Sequence, residues 1–157
     1  MAAEIDGGRF DFQHATPTSV SLKRTFLSAV SGGAWGAIAY LLAGHMVGKG
    51  IWGGVLVSPV IGILVGLTAA RLRNLPAGGR VIVSLVGLYA ATLLFGLAVG
   101  LGDLATGVNS SEGSQRIPGA VILQSGLGFL WGLTFMGYIV VLWPLSYLNC
   151  WLIWKSD

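Results

Sequence analysis

Charged residues are scarce in this sequence, and that scarcity restricts the class of protein it can encode. Only 10% of its 157 residues are charged and 54% are apolar, against roughly 25% charged in an average soluble domain. With so few charged side chains, this chain could not cover the surface of a water-soluble fold of its size. The mean hydropathy of +0.78 agrees, so the composition predicts a chain that lipid solvates.

Cysteine is almost absent as well, since Cys150 is the only one. A single thiol excludes an intrachain disulfide, a CxxC redox pair and a cysteine-based metal cluster. The sequence also lacks any paired-carboxylate, zinc-ligand or nucleophile-elbow pattern, and we therefore predict that the chain is not an enzyme and carries no resident cofactor. The net charge of +3 comes from basic residues beside apolar segments, which indicates membrane orientation and not nucleic-acid binding.

Four apolar stretches reach the length of about 20 residues that a helix needs to cross a bilayer. We predict them at 25–46, 51–70, 81–102 and 119–143, and none contains Asp, Glu, Lys or Arg. The predicted fold is therefore an all-α integral membrane protein with four transmembrane helices. Residues 1–24 form a polar cytoplasmic arm, and 25–157 form the transmembrane domain.

The C-terminal segment 144–157 remains apolar but is too short to cross again. Pro144 lacks a backbone N–H and is expected to bend or end the fourth helix. Tyr147, Trp151 and Trp154 follow, and aromatic rings of this kind concentrate where the bilayer meets water. The sequence predicts an interfacial helix or a tilted extension here.

Basic residues are distributed unequally between the two sides of this predicted topology. With the N-terminus inside, seven of the nine Lys and Arg residues face the cytoplasm: Arg9, Lys23, Arg24, Arg71, Arg73, Arg80 and Lys155. Only Lys49 and Arg116 face out. Because cytoplasmic loops carry the excess of Lys and Arg, we predict a multi-pass protein of the inner (plasma) membrane with both termini cytoplasmic.

Small residues recur every four positions along the predicted helices. In lipid, helices associate through close van der Waals contact, which small side chains allow. These rows therefore predict helix-packing surfaces, formed by Ser28, Gly32 and Gly36; by Gly54, Ser58, Gly62, Gly66 and Ala70; by Gly96 and Gly100; and by Gly128 and Gly132. The spacing leaves open whether each row packs within the chain or against another subunit.

His45, near the outer end of the first span, is the one candidate cofactor ligand, because its imidazole could bind a haem or chlorin metal. An ordinary interfacial histidine is the alternative. His14 lies in the arm on the opposite side, so no internal bis-histidine site is possible.

Together these features favour a non-catalytic membrane subunit that packs against a larger complex or against copies of itself. An energy-transducing complex, respiratory or photosynthetic, is a natural host. The alternative is a small oligomeric channel or facilitator for a neutral or weakly polar solute, lined by Ser and Thr hydroxyls. In either case the expected partners are the lipid bilayer and other membrane subunits or self-copies, with no nucleic acid.

Overall fold

The computed structural model describes residues 22–72, 74–107 and 117–155, and within these ranges the regular structure is entirely helical. The five α-helices, with a 3-10 turn at Gly48–Gly50 after the first, are α1 (Leu22–Val47), α2 (Ile51–Arg71), α3 (Ala77–Ala105), α4 (Pro118–Phe135) and α5 (Tyr138–Lys155). Helices α1 to α4 are long and apolar enough to cross a membrane. The predicted all-helical architecture with four long apolar helices is confirmed, and it is consistent with a multi-pass helical membrane protein.

Helix α1 begins at Leu22, three residues before the predicted start, and most of the predicted arm (1–21) lies outside the described residues, as does 108–116 of the long loop. The short link after α1 forces α1 and α2 into an antiparallel hairpin. Its 3-10 turn leads directly into α2, because the Gly50 backbone is already helical at φ −61° and ψ −23°.

Helix α3 is longer than the predicted span at both ends, and this places two charged residues inside it. Arg80 lies in its first turn and Asp103 in its last. The Asp103 carboxylate lies against the Gly50 backbone at the start of α2. A carboxylate suits that position because helix N-termini carry unpaired N–H groups and a partial positive charge. Both charged residues lie just outside the predicted span 81–102, which itself contains no charged residue.

The predicted fourth span, 119–143, is corrected by the structure. Helix α4 ends at Phe135, and Gly137 adopts a left-handed conformation with φ +74° before α5 begins at Tyr138. Glycine takes this conformation without the steric cost that a side chain imposes. Pro144, the predicted end of the helix, instead lies inside α5. The uninterrupted apolar run concealed the break because Gly137 is as apolar as its neighbours.

The four long helices pack in chain order, α1 on α2, α2 on α3 and α3 on α4. In the described part of the chain, α1 makes no extensive contact with α3 or α4, so the helices form a curved row with an open side. The core lies between α2 and α3, where Ile51, Ile61, Phe95 and Val99 are buried together. The Phe129 ring of α4 meets the Phe95 ring edge-on, with centroids 5.3 Å apart.

Helix α5 crosses the row at the end where α1 begins and contacts all four other helices. Two hydrogen bonds attach it to Ser84 of α3: the Trp143 indole N–H donates to the Ser84 Oγ at 3.2 Å, and the Ser146 hydroxyl donates to the Ser84 carbonyl at 3.1 Å. Near its C-terminus the Trp154 indole N–H donates to the Ala69 carbonyl of α2 at 2.8 Å. These bonds hold α5 across one end of the bundle.

Candidate functional site

A cavity of about 400 Å³ occupies the concave side of the helix row, and all five helices contribute to its wall. It is partly open, and α1 and α4, at the two ends of the helix row, make no extensive contact across it. Its volume falls within the roughly 300–1,000 Å³ typical of small-molecule sites. Its wall extends from Val47 at one end of the bundle to Ile153 at the other.

The cavity wall is mainly apolar, and no Asp, Glu, Lys, Arg or His contributes to it. Two of its hydroxyls donate to carbonyls of their own helices: Ser58 to Val55 at 2.7 Å, and Thr92 to Leu88 at 2.8 Å. A third, Ser146, donates to Ser84. These three donors are engaged, whereas the hydroxyls of Ser31, Ser125 and Tyr138 and the Trp35 indole N–H, which also line the cavity, make no hydrogen bond with another described residue.

Asn149 is the one carboxamide among the polar wall residues. It lies on the inward face of α5 with Ser146, Cys150 and Ile153, at the end of the cavity that α5 crosses. Its side chain is half-buried and makes no hydrogen bond with any other described residue. The carboxamide carries two donors and one acceptor oxygen, more than any other side chain at this end of the wall.

Positive charge collects at that same end of the bundle. Two of its cations face aromatic rings: the Arg80 guanidinium lies 5.6 Å from the Trp154 ring centroid, and the Lys155 ammonium 4.9 Å from that of Trp151. Lys23 and Arg24 in the first turn of α1 and Arg71 in the last turn of α2 share this end. The only acidic side chain in the described ranges, Asp103, is at the opposite end.

Most of the predicted small-residue rows pack against other helices of the same chain. Gly32 faces Gly62, with a Cβ built on Gly32 only 2.8 Å from the Gly62 Cα, and a Cβ on Gly66 would lie 2.7 Å from the Ser28 Cβ. Between these helices Gly36 likewise meets Ser58. The α1 row and the central part of the α2 row are therefore the two sides of one interface.

The other row positions either pack against another helix of this chain or contact none. Gly54 turns away from α1 and would place a Cβ 2.7 Å from the Phe95 ring, and Ala70 at the end of its row is half-buried. Gly96 and Gly100 pack on α4, where a Cβ would lie 2.8 Å from the Gly126 Cα and 2.7 Å from the Ile122 Cα, respectively. In contrast, a Cβ at either remaining row position meets nothing within 4 Å, and both positions line the cavity: Gly128 and Gly132.

His45, the predicted ligand, is exposed near the end of α1. Within the described ranges, no three His, Cys, Asp or Glu side chains are grouped as a metal site would require. His14 lies outside those ranges. Cys150 is buried at 4% exposure, which removes its thiol from reagents and acyl donors in the surroundings.

Two features of the site were not predicted from the sequence. The inward face of α5, with Asn149, was missed because the segment was assigned to the interface; the recurrence of Leu142, Ser146, Asn149 and Ile153 at three- and four-residue intervals is the signal that would have indicated a helix face. The surroundings of Trp131 are the second feature, since they depend on how the helices pack.

Comparison of the chain with protein-family models, with curated proteins and with solved structures finds no match in any of the three.

Proposed function

We propose that this chain is a non-catalytic integral membrane subunit that packs against another membrane protein, or a second copy, through the outward face of α4. Four large apolar side chains recur every fourth residue on that face: Leu123, Leu127, Trp131 and Phe135. All four are more than half exposed. Exposed apolar side chains alone are ordinary in lipid, so the proposal depends on what is particular to Trp131.

Trp131 is the observation that carries the proposal. Helix α4 is antiparallel to α3, with Gly126 beside Gly96 and the Thr134 hydroxyl 3.2 Å from that of Tyr89. Trp131 is therefore level with the middle of α3. Its side chain is 59% exposed and stacks on Phe135, with ring centroids 5.1 Å apart, while its indole N–H has no acceptor among the described residues.

Tryptophan in membrane proteins concentrates at the interfaces, where water and headgroups accept its N–H. At mid-depth the hydrocarbon offers no acceptor, and a buried donor left unsatisfied costs about 1–3 kcal/mol. A partner helix that supplies an acceptor and packs on the Trp131–Phe135 stack would remove that cost. This is the physical reason to place a protein, and not lipid alone, against α4.

The test compares Trp131→Leu with Trp52→Leu after extraction in mild detergent and native mass spectrometry. Trp52 is a matched control because it is 52% exposed, yet lies at the start of α2, near the end of the bundle. We expect wild type and Trp52→Leu to retain a partner in fixed ratio and Trp131→Leu to release it, leaving a folded monomer. Equal retention by the two variants would contradict the proposal.

The proposed membrane topology places the cation-rich end of the bundle, and both termini, in the cytoplasm of a bacterial-type inner (plasma) membrane. It rests on the positions of Lys23, Arg71, Arg80 and Lys155 at one end, against Lys49 at the other.

Cysteine labelling tests this topology, because Ala77 and Lys49 are both exposed and lie at opposite ends. In a Cys150→Ser background, Lys49→Cys should react with a membrane-impermeant thiol reagent on intact cells, and Ala77→Cys only after lysis. The reverse pattern would overturn the orientation.

The second candidate function is an oligomeric channel or facilitator for a neutral or weakly polar solute, and the cavity is the feature that favours it. Two hydroxyls of the cavity wall argue against it, since Ser58 and Thr92 already donate to backbone carbonyls. The native-mass experiment separates the two functions, because a facilitator would retain only copies of itself.

A further inference from the structure

We infer that the cavity binds the acyl chain of an anionic phospholipid, with the glycerol ester beside Asn149 and the phosphate among the cations at the α5 end of the bundle. The inference assumes the membrane location proposed above and does not depend on a protein partner at α4. It combines three observations: the shape of the cavity, the Asn149 carboxamide at one end, and the charge beyond that end.

The shape of the cavity selects a hydrocarbon chain over a helix. On α1 its wall runs from Ser31 to Val47, a length of about 24 Å at 1.5 Å per residue. A volume of about 400 Å³ over that length is a long and narrow slot. It suits a polymethylene chain, about 4 Å wide at van der Waals contact, better than a helix about 10 Å across.

The polarity of the wall selects the same ligand and fixes its direction. Most of the wall is apolar, which favours hydrocarbon over water. The one carboxamide of the wall, Asn149, lies at the α5 end and makes no hydrogen bond with another described residue. A carboxamide N–H can donate to an ester carbonyl there, so the acyl chain extends from Asn149 toward Val47.

The charge at the α5 end selects the headgroup. Beyond Asn149 along the bundle axis are the ends of α1, α2, α3 and α5, which carry five cations: Lys23, Arg24, Arg71, Arg80 and Lys155. No acidic side chain of the described ranges shares that end. Along the bundle axis the protein therefore presents cations, then Asn149, then an apolar slot. A phospholipid has its phosphate, glycerol ester and acyl chain in the same order along the membrane normal, and the positive end complements an anionic phosphate.

An acyl chain can enter the cavity without any opening of the helix bundle. The gap between α1 and α4 faces sideways, and the small residues Gly128 and Gly132 of α4 line the cavity without contacting a helix of this chain. These two positions, predicted to be a helix interface, are thereby assigned to lipid.

The experiment uses the full chain, delipidated in detergent and titrated with phosphatidylglycerol or phosphatidylcholine of identical acyl chains. Native mass spectrometry counts the lipids bound. We expect one phosphatidylglycerol to be retained per chain and phosphatidylcholine to bind at least tenfold more weakly. Equal retention of the two lipids would overturn the headgroup assignment.

Two variants test the cations and the cavity separately. Arg71→Gln with Lys155→Gln, both exposed, should weaken phosphatidylglycerol binding by about fivefold per cation and leave phosphatidylcholine binding unchanged. Gly128→Leu, which fills cavity space without meeting an existing atom, should reduce binding of phosphatidylglycerol at least tenfold. Undiminished lipid binding by the Gly128→Leu variant would show that the acyl chain lies elsewhere, and this result would overturn the inference.

Matched controls complete the design. Gly119→Leu makes the same change on the same helix where a Cβ also meets nothing within 4 Å, outside the cavity wall, and should bind lipid as wild type does. Asn149→Leu keeps the size of the side chain and should weaken binding severalfold. Trp131→Leu should leave lipid binding intact, so failure of the lipid site and failure of the proposed partner surface are distinguishable.

Discussion

The α1–α2 hairpin and helix α4 carry the same sequence pattern and use it differently. In the hairpin, Gly32 and Gly62 bring two backbones together, so that a Cβ built on Gly62 lies 2.5 Å from the Gly32 Cα. On α4, Gly128 and Gly132 have the same four-residue spacing, but they face a cavity and no atom lies within 4 Å of a Cβ there. Four-residue spacing of small residues therefore does not by itself show that a helix of the same chain packs on the row.

The difference follows from the order of the helices. Helix α2 is contacted by α1 and by α3, whereas α4 is contacted mainly by α3, and a row on its free side has no neighbour in this chain. The short link at Gly48–Gly50 guarantees that α1 and α2 are adjacent. No comparable restraint brings α1 back to α4, and the row of helices stays open.

Of the substitutions that test this difference, Gly62→Leu is expected to have the largest effect on stability. Its Cβ would meet the Ser28 carbonyl and the Gly32 backbone, and backbone atoms cannot rotate out of the way as a side chain can. Overpacking of a tight interior costs typically 1–3 kcal/mol and occasionally more, and we expect about 3 kcal/mol here, measured as the free energy of unfolding in detergent.

Gly33→Leu is the control for that change, because it makes the same substitution one residue from Gly32, where the nearest atom to a Cβ, Pro59 Cγ, is 4.0 Å away. It should cost less than 1 kcal/mol. Similar losses of unfolding free energy from Gly62→Leu and Gly33→Leu would show that α1 and α2 separate easily. Close packing would then not distinguish the α1–α2 hairpin from α4.

The extent to which sequence predicts this fold varies along the chain for a physical reason. The bilayer-length rule places α1 and α2 to within a few residues, because an apolar run bounded by charges or by Lys49 has clear ends. The same rule misplaces the end of α4, because hydropathy does not register a backbone conformation. Gly137 ends the helix through its φ of +74°, and one glycine among 25 gives no sign of which will do so.

The candidate site was less predictable than the fold. The row residues were identified correctly as small and periodic, yet their partners are properties of the tertiary arrangement. Asn149 illustrates this most clearly: its role depends on α5 turning at Gly137 and being held against Ser84 and Ala69 by Trp143, Ser146 and Trp154. None of these long-range contacts leaves a local signal in the sequence.

The smallest effect on stability is expected from Gly132→Leu, which tests the same difference on α4. The new side chain extends into the cavity, where a Cβ meets nothing within 4 Å, so no overpacking cost applies. Leucine is a better helix former than glycine by up to about 1 kcal/mol, and the leucine buries apolar surface against the cavity wall. The free energy of unfolding in detergent should therefore be unchanged or up to about 1 kcal/mol higher. A loss as large as that of Gly62→Leu would mean that a helix packs on this row in the solubilised protein, either from a second copy or from a rearranged α1. Native mass spectrometry of the same sample separates those two cases by the number of chains, and either result would return Gly128 and Gly132 to the helix-packing role that their spacing predicts.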